Sequence, residues 1–216
     1  MRRHFDEFRR RHRANSADAI SAGIRFAGES LLRYFARLQS WKFGHFGKSS
    51  LIGKVRLLSN PSAIFIGDNV TIRRGARLEA IRYFNGRVYA PRIEIGDNTF
   101  IEFDAHIACA NHVQIGKNVL IATRVFICDH NHTLLPDVEH PINTPLDVKS
   151  VTIGDGCWLG EGVAILPGVQ LGPKSIVGTG AVVTRSFPAG SVLVGVPARR
   201  INSRDNLQGA HGKQIS

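Results

Sequence analysis

Several features are scarce in this chain of 216 residues, and each scarcity excludes something. No run of about eighteen apolar residues occurs, so the chain is not expected to cross a membrane as a helix. The N-terminus opens on arginines and lacks the short apolar core and small-residue cleavage site of an export leader, so it is not expected to be secreted. Cysteine appears three times, as Cys109, Cys128 and Cys157, an odd number without a CxxC spacing. That argues against a disulfide framework and against a zinc knuckle, and it fits a reducing cytoplasm. Acidic residues are the minority, 17 against 28 lysines and arginines, and the net charge of +11 points to an anionic partner such as a phosphorylated cofactor, nucleic acid or an acidic membrane surface. Nucleic acid is the weakest of these, because no recognised binding motif accompanies the charge. With 43% hydrophobic residues the chain can build one main domain with a core.

What the chain does have is a beat of six. Aliphatic residues recur at Ile66, Ile72 and Leu78, at Ile95, Ile101, Ile107 and Val113, at Ile115, Ile121 and Ile127, and at Ile153, Leu159, Ile165, Leu171, Val177 and Val183. A helix repeats its apolar face near 3.6 residues and a strand near 2, so a strict six matches neither alone. It matches short strands joined by tight turns, three to a coil, with eighteen residues to the turn. The aliphatic residue points inward, and the glycine that often follows stands where there is little room for a side chain. The tetrapeptides IGDN at Ile66 and Ile95, IGKN at Ile115 and IGDG at Ile153 all fall in phase with their hexads.

This pattern closely resembles the hexapeptide-repeat acyltransferases. The resemblance implies an all-β fold, a left-handed parallel β-helix; that hand is an exception to the right-handed crossover rule and comes from the family, not from the spacing. Two interruptions stand out. EAIRYFNGRVYAPR at 79–92 carries aromatics and an Asn-Gly pair and reads as a protruding hairpin or irregular coil. DHNHTLLPDVEHPINTPLDVKS at 129–150, with three prolines, reads as a loop thrown out of the coil. Upstream, three- and four-residue spacings predict an amphipathic helix over 17–39, behind the arginine-dense arm MRRHFDEFRRRHR. That segment either packs on the coil's end or a neighbouring subunit, or attaches to an anionic membrane surface at the inner face. The expected division is therefore 1–47 for arm and helix, 48–201 for the β-helix, and 202–216 for a disordered tail.

The chemistry concentrates in FICDHNHTLLPD at 126–137. Acyl transfer to a hydroxyl needs a base, and an imidazole titrating near neutrality is the usual choice. In the family the catalytic histidine stands at the end of a hexad where an extended loop leaves the coil, and after IGKNVLIATRVFICD that position is His130. His132 is the alternative, since residues two apart on a strand share a face. Asp129 is a candidate to hold the imidazole, although neighbours on an extended chain point to opposite sides, so a loop or a backbone carbonyl is an equally good partner. Cys128 is expected to be a packed thiol, not a nucleophile.

The resemblance also implies acetyl-CoA as cosubstrate, on the strength of VGTGAVVTRSFPAGSVLVGVPARR at 177–200. It assigns Trp158 to the wall of the acyl site, Gly160 and Glu161 to backbone contacts near the thioester, with amides near Gly160 as oxyanion donors, Thr179 and Thr184 to the pantetheine, and Arg185 and Arg199 to the nucleotide phosphates, where guanidinium groups bind bidentately. Asp104, His106, Asn111 and Asn131 are candidates for the acceptor, expected to be a sugar or glycan precursor, and the family's shared groove implies a homotrimer. No metal is required in this reading. Two alternatives from other classes remain: a zinc enzyme like the γ-class carbonic anhydrases, using some of His106, His112, His130 and His132, and a non-catalytic β-helix binding protein.

Overall fold

The computed structural model describes residues 40–133 and 140–203. The expected helix over 17–39, the arm before it and the tail after 203 lie outside these residues. The rest is a coil of short strands in three sheets. The first stacks His45–Phe46, Ile64–Ile66, Arg92–Ile95, His112–Ile115, Val151–Ile153 and Gln170–Leu171. The second stacks Leu51–Ile52, Thr71–Ile72, Phe100–Ile101, Leu120–Ile121, Trp158–Leu159, Ile176–Val177, Ser191–Val194 and Arg199–Ser203. The third stacks Leu57–Ser59, Arg77–Ala80, His106–Cys109, Phe126–Cys128, Ala164–Ile165 and Val182–Val183. Neighbouring strands within these sheets are parallel, and Arg199–Ser203 alone folds back antiparallel, on Ser191–Val194. The coil thus opens at His45, before the boundary expected at 48, and its backbone continues to Ser203, past the one expected at 201.

The six-residue beat is the core. Ile66, Ile72, Leu78, Ile101, Ile107, Ile121, Ile127, Ile153, Leu159, Ile165 and Val183 are all fully buried, stacked inside a three-walled prism. The coil is not uniformly eighteen residues to the turn. Ile153 lies beneath Leu171, eighteen residues on, but Phe46 lies beneath Ile66 and Ile95 beneath Ile115, each twenty residues on. The extra length sits at the third sheet and its corner: His106–Cys109 runs two residues further than Ala164–Ile165, and Leu57–Ser59 is followed by a short 3-10 turn at Pro61–Ala63.

The IGDN motif has a division of labour. Its glycine is needed for close coil spacing, because a Cβ on Gly96 would come within 2.6 Å of the Gly116 carbonyl carbon. The bend itself falls two residues later, at Asn69, Asn98 and Asn118, whose φ values are 56°, 57° and 55°. The aspartate between them accepts a turn amide from the coil beneath: Lys48 N–H donates to Asp68 Oδ1, Asp68 N–H to Asp97 Oδ1, and Lys117 N–H to Asp155 Oδ1.

Both interruptions leave from one prism edge, the corner between the third and first sheets. The hairpin pairs Tyr83–Phe84 with Arg87–Val88 across Asn85 and Gly86, whose φ values of 45° and 75° are those of a type I′ turn. The later excursion is no plain loop at its base. His130–His132 pairs antiparallel with Leu146–Val148, His130 opposite Val148 and His132 opposite Leu146. The two excursions touch: the Leu146 amide donates to the Tyr89 hydroxyl at 2.9 Å, and the Phe84 ring meets His132 edge-on at 5.2 Å.

Candidate active site

The hexad strand Phe126–Cys128 delivers the chain to a bend at Asp129, and the bend undoes the sequence argument about that residue. Alternation applies to extended backbone. At a bend neighbouring side chains can meet, and Asp129 Oδ1 lies 2.9 Å from His130 Nδ1. The carboxylate is fully buried and also receives the amides of Ala110 at 2.8 Å and Asn111 at 2.7 Å, with the Cys109 thiol at 3.3 Å. Burial alone would raise its pKa, but the His130 contact and these donors hold it below the usual aspartate value.

An ionised carboxylate only accepts, so Nδ1 of His130 carries the donated proton and Nε2 is left for other chemistry. Burial alone would lower the His130 pKa; Asp129 and the Cys128 sulfur overcome it and raise it to about 9. The Cys128 thiol is buried and donates to the His130 carbonyl at 3.0 Å, as a packed thiol should. His132 is more exposed than His130 and rests on Phe84.

One coil beneath, on the third sheet, His106 faces out below Phe126, with the two rings 5.1 Å apart. Its Nε2 stands 2.9 Å from Glu79 Oε1, off the line of a proper hydrogen bond, and Glu79 also holds Arg77 at 2.5 Å. Burial and the Arg77 charge lower the His106 pKa, against the pull of Glu79. His112 is on the first sheet, bonded to Glu94 at 2.8 Å. Among the described residues these four histidines form no metal-holding group, and His106 and His112 are each paired with a carboxylate.

The assigned acceptor residues fall on two edges and the wall between them. Asn131 is in the histidine strand, and Asn111, on the same edge, donates from Nδ2 to Ser150 at 3.0 Å. Asp104 is on the far edge, between the second and third sheets, in an open cleft of about 350 Å³ lined by Lys54, Arg56, Arg74, Gly75 and Phe103.

The cofactor residues divide likewise. Glu161, paired with Arg124, and Thr179 lie on the edge between the second and third sheets. Thr184 and Arg185 lie on the edge that carries His130, Arg185 over the Phe187 ring at 5.1 Å. Trp158 is half exposed on the second sheet, and Arg199 begins its last strand. The Gly160 amide donates to the Val177 carbonyl at 2.8 Å as part of the coil ladder. Of the amides near Gly160, its own is therefore already paired within the coil.

Sequence reasoning missed Glu79, Glu94, Tyr89 and the cations beside Asp104. The signal was present but needed the coil register, which places Arg77 under His106 and Glu94 under Gln114, beside His112.

Residues 150–185 match the family model described as bacterial transferase hexapeptide (six repeats). The chain is 36% identical over 152 residues to the putative lipopolysaccharide biosynthesis O-acetyl transferase WbbJ of Escherichia coli (strain K12), covering 67% of this chain and 74% of that protein. It is a hexapeptide-repeat O-acetyltransferase. The galactoside O-acetyltransferase of the same organism is also 36% identical, over 62% of this chain and 66% of its own length. Among solved structures, a maltose O-acetyltransferase from Clostridium difficile 630 superposes with a TM-score of 0.54 at 25% identity, covering 76% of this chain and 71% of that one. The prism takes the family's left hand. Among the described residues no helix is long and apolar enough to cross a membrane.

Proposed function

We propose that this acetyltransferase moves an acetyl group from acetyl-CoA to a hydroxyl of a sugar or glycan precursor, with His130 as the base. The observation that carries the reading is the Asp129–His130 pair at the foot of the histidine strand. A fully buried carboxylate fixed by two backbone amides sets the imidazole's tautomer and leaves Nε2 for the acceptor. The names of the relatives support the acetyl group and the sugar, and the guanidinium groups of Arg185 and Arg199, unpaired with an acid among the described residues, suit the cofactor's phosphates.

Nε2 takes the proton of the acceptor hydroxyl as its oxygen attacks the thioester carbonyl. The tetrahedral adduct collapses with cleavage of the carbon–sulfur bond, and the imidazolium returns its proton to the departing thiolate. The ester and free CoA are the products, and no covalent enzyme intermediate forms. Trp158, Gly160, Glu161, Thr179, Thr184, Arg185 and Arg199 remain the proposed cofactor contacts. They occupy two prism edges and the second sheet, so a site using all of them closes between neighbouring copies, which favours a homotrimer. Peripheral contact with a membrane through the basic arm, from the cytoplasmic side, belongs to the same proposal.

Exposure gives His132 a second claim, since it stands out on the same strand with its ring on Phe84. The test is CoA thiol release from acetyl-CoA against a panel of sugars, nucleotide-sugars and oligosaccharides, for wild type, His130→Ala and His132→Ala. Acceptor-dependent release lost in His130→Ala supports the reading. Release lost only in His132→Ala transfers the role to that residue, and no release with any acceptor sinks the acetyl-transfer reading.

A further inference from the structure

The cleft around Asp104 is built for more than a neutral hydroxyl. Lys54, Arg56 and Arg74 line it with Asp104 as the single carboxylate, 3.6 Å from Arg56 Nη2. Among the described residues neither Lys54 nor Arg74 pairs with an acid. Arg74 stacks on the Phe103 ring at 5.6 Å, and Arg73 lies 5.3 Å from Phe100 and 5.7 Å from Phe103, so aromatic faces hold two guanidinium groups in place. Asp104 offsets only one of these three cations, so the cleft keeps an excess of positive charge that favours an anion.

We propose that this cleft binds the phosphate or diphosphate of an anionic glycosyl acceptor; the proposal rests on the acetyl-transfer reading above. The coil register supplies the geometry. Along the edge between the second and third sheets, Lys54, Arg74, Phe103, Thr123 and Glu161 stand in one file. The amide after each donates to the carbonyl of the residue beneath, from Gly75 onto Lys54, Asp104 onto Arg74, Arg124 onto Phe103 and Gly162 onto Thr123. Each rung is about 4.8 Å, so Phe103 is about 10 Å below Glu161, where the thioester is proposed to lie. His130 leaves the coil of Phe126–Cys128, the level between them. In a cyclic trimer whose axis runs along the prism these heights are shared by all copies. The acetyl group then comes from above, the base stands at the middle level, and the acceptor's charged end lies below. A saccharide joined to a diphosphate spans that distance.

The test is calorimetric binding to the full chain, wild type and Lys54→Ala/Arg74→Ala, with four probes: inorganic pyrophosphate, a nucleoside-diphosphate sugar, phosphatidylcholine vesicles carrying a polyprenyl-diphosphate sugar, and the free sugar. The proposal expects pyrophosphate and at least one diphosphate sugar to bind better than the free sugar, and the double variant to weaken them at least tenfold with its melting curve unchanged. Preference between the soluble and vesicle arms names the source of the phosphate. Equal binding of charged and free probes, or equal binding by wild type and a folded double variant, overturns it. Thiol release by the wild type is read separately: its absence with every acceptor removes the acetyl-transfer reading, while the pyrophosphate result still decides whether the cleft takes anions.

Discussion

Two histidine–carboxylate pairs stand one coil apart on the same side of the prism, and their pKa values move in opposite directions. His130 has a carboxylate wholly inside the protein, tied by two amides, with no competing cation among the described residues, and its pKa rises to about 9. His106 has Glu79, which is shared with Arg77, and burial together with that arginine lowers its pKa. The difference teaches that an adjacent acid does not by itself charge a histidine. At His106 the Arg77 charge adds to the burial that lowers the pKa, whereas at His130 the contacts with Asp129 and Cys128 outweigh burial.

The largest expected effect comes from removing the first imidazole. His130→Ala should cut kcat by about 10²–10⁴-fold while acetyl-CoA binding, read by calorimetry, persists. His106→Ala should act mainly on the acceptor's KM, and an equal kcat loss in both variants would erase the contrast. Next comes the buried acid. Asp129→Ala strands two amides, each costing about 1–3 kcal/mol, whereas Glu79→Ala removes a partly exposed group and should cost less in urea unfolding.

The third effect is on pH. His130 has a raised folded pKa, so its contribution to stability is whole below the ordinary histidine value of 6.5 and is lost as pH rises through about 9. Asp129, with a lowered pKa, contributes above the ordinary aspartate value of 3.8 and is lost only as pH falls below it. Unfolding midpoints between pH 6 and 10 should therefore decline in wild type and flatten in Asp129→Asn. The same charge state means that at neutral pH the base form is the minority, so turnover should climb toward pH 9. The smallest effect is at the brace: Phe84→Ala removes an edge contact on His132 worth about 1 kcal/mol and should change acceptor KM a few-fold at most.

Much of the fold was legible because a prism repeats its demands. Every hexad needs one inward aliphatic residue, so Ile66 through Val183 announce the core, and Gly67, Gly96 and Gly116 announce the close coil spacing. The Asn85-Gly86 turn was legible for the same local reason. The site was legible only in part. The strand that presents His130 could be read, but the partnership with Asp129 depends on a bend that alternation does not foresee. Glu79 and His106, or Arg74 and Asp104, meet across the coil that carries the hairpin, which takes 29 residues from Arg77 to His106 where Ile153 to Leu171 takes 18, and that register cannot be counted along the chain. The paired amide of Gly160 was hidden likewise, since its partner Val177 is one coil away.

The most direct test of the central claim, that Asp129 sets the state of His130, needs no substrate. Imidazole nitrogen NMR of the folded protein, titrated from pH 5 to 10 and assigned by the signal lost in His130→Gln, should give His130 an apparent pKa of about 9 that falls in Asp129→Asn. A wild-type value in the ordinary histidine range, unmoved by Asp129→Asn, would contradict it.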